Sequence, residues 1–237
     1  MAVGDPLEPV LALDGVADEV TAVRTSVDQA LAQPVLRRRS AEVSAESVLR
    51  GAWAAARLSG SVATLDDVRT GAPSDEVARG ALRAYADLGA LTEAWARAPR
   101  QVLARLHVLA ARDLVDEAAL GLPVRGADRL DVLSDVLGAT RAPAVVVAAV
   151  VLGEISALDP FPPSSQIVGW AAARLTFVTR GLDPESLVVP EVGALGLDAP
   201  LDEYRAGDMA AWIRYVSRAV VDGASETRAI CQALQRG

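Results

Sequence analysis

The sequence predicts an all-α protein, a helical bundle domain preceded by an N-terminal helical extension. Apolar residues recur at helical spacing through nearly all of the 237-residue chain. Strand-like alternation of apolar and polar residues is scarce, and no internal repeat indicates a solenoid. These observations favour one α-helical domain at residues 41–237, with the extension and its linker at residues 1–40.

Composition excludes several classes of function. The net charge is -8, so no general basic field attracts nucleic acid or anionic lipid. A single cysteine, Cys231, excludes an internal disulfide, and with one histidine, His107, it leaves no Cys/His cluster for a metal. The sequence therefore predicts no metal site and no cofactor.

The sequence shows neither the pattern of a signal peptide nor that of a membrane-spanning helix. The start, MAVGDPLEPV, lacks the basic and apolar regions of a signal peptide. The longest apolar run, APAVVVAAVVLG, is shorter than the roughly 20 residues of a membrane-spanning helix. Basic residues other than the histidine are all Arg, which is typical of a GC-rich bacterial coding background. We expect a cytoplasmic bacterial protein.

The first elements follow from apolar spacing and breakers. Apolar residues from Leu7 to Leu31 predict a leading helix or helix pair, and Pro34 then interrupts the pattern. The cluster Arg37–Arg39 is either a solvated face or a site for phosphate or a partner. Helices are predicted next at 41–59, 73–95 (with Ser74 as the cap), 99–119 and 127–138.

The second half contains the most apolar segments. Residues 145–151 are rich in β-branched side chains, but their helical neighbours favour a fully buried helix over an isolated strand. A further helix is predicted at 164–180, ended by Gly181. A looser stretch at 182–200 precedes helices at 201–221 and on to about Leu234.

The stretch AAVVLGEISALDPFPPSSQIVGWAAARL resembles the central region of the Fic family, helical proteins that transfer AMP or other phosphate-containing groups to target hydroxyls. The family signature is HPFx(D/E)GNGR, between an alanine-rich helix and a second helix. Pro160 and Phe161 match it, and Gly169 matches a glycine often found after it. Weaker similarity, including AWAAARLSGSVATLDDV and YRAGDMAAWIRYVSRAV, extends the resemblance over roughly residues 47–220.

The residues that give the family its chemistry are replaced here. The resemblance puts Asp159 at the position of the histidine base, and Pro163 at the position of the acidic magnesium ligand. Asp has an ordinary pKa of about 3.9, so it is a poor base at neutral pH, and Pro offers no side-chain oxygen. Ile167 replaces the phosphate-binding arginine, and GNG is replaced by Ser164, Ser165 and Gln166.

Regulatory features also depart from the family. The inhibitory motif has Ser59 in place of its glutamate, followed by Gly60, and Trp170 occupies the position of the arginine that this glutamate pairs with. Both members of the ion pair are therefore absent together. The segment LGLPVRGADRL is short where active members place a target-clamping flap. His107 lies among leucines and is predicted to be a hydrogen-bonded structural residue.

The start of the helix after the signature has two interpretations. With Ser164 or Ser165 as N-cap, its first N–H groups and the positive dipole end would hold a phosphate or an acidic side chain near Ser164 to Ile167. Alternatively, it is an ordinary capped helix, and Asp159 only caps or braces the turn before Pro160.

Three functional hypotheses follow. The first is a catalytically inactive Fic-like protein that works as a protein-interaction or regulatory module, with an unidentified protein partner. Its anchors would be whichever tryptophans are exposed, although buried packing is the commoner fate of tryptophan; the candidates are Trp53, Trp95, Trp170 and Trp212. The second is an active transferase that uses Asp159 as its base, and the third is a sensor that binds a nucleotide or other small molecule in the old groove. The sequence leaves homo-oligomerisation open.

Overall fold

The computed structural model describes residues 4–71 and 75–236. Within these ranges the chain forms thirteen α-helices and no strand, which confirms the all-α prediction. The helices are α1 Glu8–Leu11, α2 Val16–Leu31, α3 Leu36–Leu58, α4 Leu65–Arg69, α5 Glu76–Ala86, α6 Leu88–Arg97, α7 Pro99–Ala111, α8 Ala127–Ala139, α9 Ala144–Leu158, α10 Ser165–Thr179, α11 Pro190–Ala194, α12 Leu201–Arg205 and α13 Met209–Arg236. A 3₁₀ turn spans Glu117–Ala119.

Helices α9 and α10 form the centre of the fold. Both are apolar on nearly every side, and they pack on each other while α13, α3, α6 and α7 surround them. Residues Val145 to Val151 are all buried, and they are helical as predicted. Their β-branched side chains favour a strand only weakly, and the surrounding helices offer apolar contacts on all faces.

The N-terminal segment belongs to the same core. Val23 and Val27 of α2 are fully buried, and α2 packs along α13 and touches α9. The boundary predicted after residue 40 falls inside α3, next to a kink at Arg39 where φ is -130°. Of the predicted basic cluster, Arg37 and Arg38 are exposed, and Arg39 pairs with Glu42 at 2.7 Å.

Several predicted boundaries are wrong. The helix expected at 73–95 is divided at Asp87 into α5 and α6, and the one expected at 99–119 ends at Ala111. Ser74, the expected cap, lies outside the described residues, and the N-cap of α5 is Asp75, whose carboxylate accepts the Ala78 N–H at 2.8 Å. Near the C-terminus the interruption comes at Gly207, which has φ +97°, and α13 then continues unbroken.

The stretch at 182–200 contains a buried helix that its composition did not predict. Helix α11 packs closely on α13 because glycines remove side chains at the contact. A Cβ on Gly193 would lie 2.0 Å from the Ala219 carbonyl oxygen, and one on Gly223 would lie 2.5 Å from that of Val189. Every helix in the part of the chain that the structure describes is too short or too polar to span a bilayer.

Candidate functional site

The turn between α9 and α10, residues 159–164, is called here the signature turn. It begins at Asp159, which ends α9 in the left-handed conformation at φ 46° and ψ 59°. Asp is among the non-glycine residues that tolerate this conformation, and the following Pro160 cannot continue a helix. The Pro160 carbonyl accepts the Val124 N–H at 2.9 Å, so the turn is tied to the segment before α8.

Asp159, which the resemblance puts at the position of the histidine base, lies at the surface. Its side chain is 44% exposed, and its carboxylate faces the more exposed Arg125, 60% exposed, at 4.0 Å. Such an exposed ion pair is worth at most about 1 kcal/mol, because water screens it. Neither burial nor a close hydrogen bond positions the carboxylate for proton transfer.

Beneath the turn, Phe161 and His107 fill the core. Their ring centroids are 5.0 Å apart, and both residues are 2% exposed. The His107 Nδ1 accepts the Gly121 N–H at 3.1 Å, so the neutral ring carries its proton on Nε2. Burial lowers the pKa of His107, which favours this neutral form. The contacts agree with the predicted hydrogen-bonded structural histidine.

The start of α10 faces inward. Ser164 occupies the N-cap position, is fully buried and makes no capping hydrogen bond. The neighbouring Ser165 hydroxyl accepts the Phe161 N–H at 2.9 Å. Of the four residues predicted to contact an anion, Ser164, Ser165 and Ile167 are buried, and only Gln166 is partly exposed. The side chains therefore close this helix end against the core.

Of the remaining signature positions, Gly169 and Trp170 serve packing. Pro163 is exposed, and no cluster of His, Cys, Asp or Glu fit for a metal occurs among the described residues. Gly169 lets α9 approach, since a Cβ there would lie 3.0 Å from Leu152 Cδ1. Trp170 is 1% exposed and meets Tyr215 edge-on at 6.5 Å.

Ser59 and Gly60, which the resemblance puts in the inhibitory motif, lie at the end of α3. Ser59 is the C-cap residue, and its hydroxyl donates to the Ala55 carbonyl at 2.8 Å. Gly60 follows with φ +89°, a conformation that favours glycine. Both residues end a helix, and the Ser59 side chain bonds within its own helix.

A buried polar cluster in the middle of α10 was missed by the sequence analysis. Arg174, Glu191 and Tyr85 are each at most 1% exposed. The Arg174 guanidinium donates to Glu191 at 3.1 Å, and the Tyr85 hydroxyl donates to the same carboxylate at 2.9 Å. Gly51 of α3 leaves room for all three, because a Cβ there would lie 2.6 Å from Arg174 Nη1. Burial raises the pKa of Glu191, and the Arg174 charge opposes this shift.

The same arginine holds the loop that follows α10. It donates from Nε to the Ser186 hydroxyl at 2.7 Å and from Nη2 to the Ser186 carbonyl at 2.8 Å. The buried Asp183 accepts the N–H groups of Leu187 and Val188 at 2.9 and 2.8 Å. All of these donors and acceptors are satisfied, so the cluster anchors residues 183–191 to the core. A lone arginine in the apolar run WAAARLTF was the signal that could have revealed it.

The comparisons with known proteins add no assignment. No protein-family model matches the chain, and no curated protein matches it significantly. The resemblance to the Fic family therefore stays a prediction from the sequence.

Proposed function

We propose that this protein is a catalytically inactive Fic-like protein that acts as a protein-interaction or regulatory module. The observation that carries the proposal is that the side chains at the start of α10, just after the signature turn, are buried against the core. Ser164, Ser165 and Ile167, at the positions that the resemblance assigns to nucleotide binding, are buried, and Asp159 lies outside them at the surface. A site without an aligned base, a metal ligand or a phosphate-binding arginine lacks the groups that phosphoryl-type transfer requires.

A subsidiary binding role belongs to the same proposal. The N–H groups of Ser165, Gln166 and Ile167 have no acceptor among the described residues. They are the ordinary orphan donors of a helix start. Because the neighbouring side chains are buried, only the partly exposed Gln166 end of this helix start is left for a residual phosphate-binding groove on an otherwise inactive site.

The signature turn also borders an apolar surface suited to a protein partner. Leu122 and Val124 are 61% and 60% exposed, and the Val124 N–H bonds the turn at Pro160. We call Leu122, Val124 and Arg125 with Asp159 the turn surface. Apolar side chains next to an exposed ion pair give an apolar centre with a charged edge, as in many protein interfaces. The tryptophans do not supply this anchor, because three are buried and Trp53 donates to the Ala63 carbonyl.

The first experiment tests for catalysis. Purified protein is incubated with magnesium and ATP labelled on the α- or γ-phosphate, alone and with a bacterial lysate. We expect no transfer of label to the protein itself or to a lysate protein. Transfer that disappears in Asp159→Asn would overturn the proposal and establish the active-transferase alternative.

The second experiment tests the turn surface. Proteins retained by immobilised wild type are compared with those retained by the double variant Leu122→Asp/Val124→Asp. Val62→Asp is the matched control, because Val62 is 76% exposed on the loop between α3 and α4. We expect one or more partners to be retained by wild type and the control but lost with the double variant. Identical retention by all three proteins would exclude this surface.

A further inference from the structure

An arginine-lined cavity lies at the opposite end of the α9–α10 pair. Its volume is about 310 Å³, and its walls come from α2, the α8–α9 connection, the start of α9 and residues 180–182. Since residues at the start of α9 and just after α10 meet here, the two helices run antiparallel. Fifteen residues of α9 separate the cavity from the signature turn by about 22 Å.

The cavity concentrates positive charge in an acidic protein. Arg24, Arg141 and Arg180 line it, and no carboxylate does so among the described residues, although the net charge of the chain is -8. The Arg141 guanidinium makes no hydrogen bond or ion pair with any described residue. Arg24 reaches only Asp28, at 3.9 Å on the open surface. Both guanidinium groups are therefore available to a ligand.

Arg180 provides a fixed charge at the inner wall. Its guanidinium donates to the Leu137 carbonyl at 2.9 Å and the Thr140 carbonyl at 3.1 Å. Neither partner is charged. Asp5 acts on Arg180 only through space, and its carboxylate already accepts the Thr140 hydroxyl at 2.7 Å and the Arg141 N–H at 2.6 Å. Burial lowers the pKa of Arg180, as expected for a guanidinium without a contacting counter-charge.

The backbone adds two neutral donors to the three guanidinium groups. Ala144 and Val145 line the cavity, and their N–H groups have no acceptor among the described residues. The next two N–H groups of α9 donate to the Pro143 carbonyl, so they are occupied. The residues that carry these two free donors thus line the same cavity as the arginines.

We infer that this cavity binds a small ligand carrying a phosphate group, namely a phosphate monoester or inorganic phosphate. Guanidinium groups suit phosphate because their planar donors pair with two oxygens at once. The volume is at the lower end of the range for small-molecule sites, and Val20, Val23 and Leu182 offer an apolar wall to the organic part of an ester. The inference does not depend on the proposed function, because the site uses different residues at the other end of the helix pair.

Calorimetric titration with inorganic phosphate and with glycerol 3-phosphate, at constant ionic strength, tests the inference. We expect saturable binding, weakened at least about tenfold in Arg141→Gln and in Arg24→Gln. Arg205→Gln is the matched control, since Arg205 is an exposed arginine on α12 paired with Asp202 and does not line the cavity. Tighter binding of the ester identifies an ester as the ligand, and equal binding identifies free phosphate.

Two results would overturn the inference. One is the absence of saturable heat with both probes at concentrations up to about 10 mM, which is far above the Kd of a specific site. The other is binding that persists unchanged in Arg24→Gln and Arg141→Gln. If such binding disappears instead in Gln166→Ala, the phosphate occupies the start of α10, and the residual groove of the proposed function is the site.

Discussion

The start and the middle of α10 differ in whether their buried polar groups are hydrogen-bonded. At its start, the signature turn buries a serine hydroxyl, that of Ser164, with no partner among the described residues. In its middle, Arg174 makes hydrogen bonds through all three guanidinium nitrogens. A buried charge is tolerated only when it is paired and fully bonded, whereas a single neutral hydroxyl costs much less. The difference indicates that the fold depends more on the middle of the helix than on the segment with the recognisable motif.

The largest expected effect comes from removing the acid of the buried cluster. Glu191→Ala leaves the Arg174 guanidinium buried without its counter-charge, so we expect the free energy of unfolding to fall by about 3–5 kcal/mol. Urea denaturation measures this change in the free energy of unfolding. The control is the exposed Glu203→Ala, for which the change should stay within about 0.5 kcal/mol. Equal losses in the two variants would contradict the role given to the cluster.

Crowding the cluster should have the next largest effect. Gly51→Ala places a Cβ 2.6 Å from Arg174 Nη1 and 2.9 Å from Tyr85 Cε1, so we expect a loss of about 1–3 kcal/mol in the free energy of unfolding. In Gly89→Ala, on α6, the new Cβ meets nothing within 4 Å. That variant should be neutral or up to about 1 kcal/mol more stable, because alanine favours a helix. Urea midpoints that rank the two variants in the opposite order would disprove the packing argument.

Two adjacent serines at the signature turn differ in whether their hydroxyl groups have a hydrogen-bond partner. Ser165→Ala leaves the buried Phe161 N–H without its acceptor, and we expect a loss of about 1–3 kcal/mol in the free energy of unfolding. Ser164→Ala removes a buried hydroxyl that bonds nothing described, so its change should be close to zero or stabilising. Thermal or urea unfolding of the pair is the measurement. A Ser164→Ala variant that is the less stable of the two would show that the Ser164 hydroxyl has a partner.

The smallest expected effect is a pH dependence from His107. Because burial lowers its pKa in the folded protein, the unfolded chain takes up the proton first as pH falls through about 6.5. The folded state therefore loses stability between pH 7.5 and pH 5. Burial raises the pKa of Glu191 and Asp183, which favours folding at lower pH and opposes this trend.

Comparing wild type with His107→Gln isolates the contribution of His107 to the pH dependence of stability. The fall in urea midpoint between pH 7.5 and pH 5 should be larger in wild type than in His107→Gln, since both proteins share the same buried carboxylates. An identical fall in the two proteins would show that His107 is not the titrating group.

The helices were predictable where a local pattern repeats along the chain. Apolar spacing indicated α2, α8 and α10, and helical neighbours indicated that residues 145–151 are a helix. The division at Asp87 and the buried helix α11 were not predictable in this way, because packing rather than local composition sets them. The sequence also indicated that Ser164 and Ser165 begin a helix, but not that their side chains turn inward.

The sequence by itself determined the helical class, the apolar character of α9 and α10 and the residue types at positions 159–167. Each depends on residue types close together in the chain. Only the tertiary structure decided which polar groups meet: Tyr85, Arg174 and Glu191 in the buried cluster, and Arg24, Arg141 and Arg180 around the cavity. The members of each group are far apart in sequence, so no local periodicity connects them. Helix packing brings them together, and their spacing in the folded chain sets their charge and hydrogen bonding.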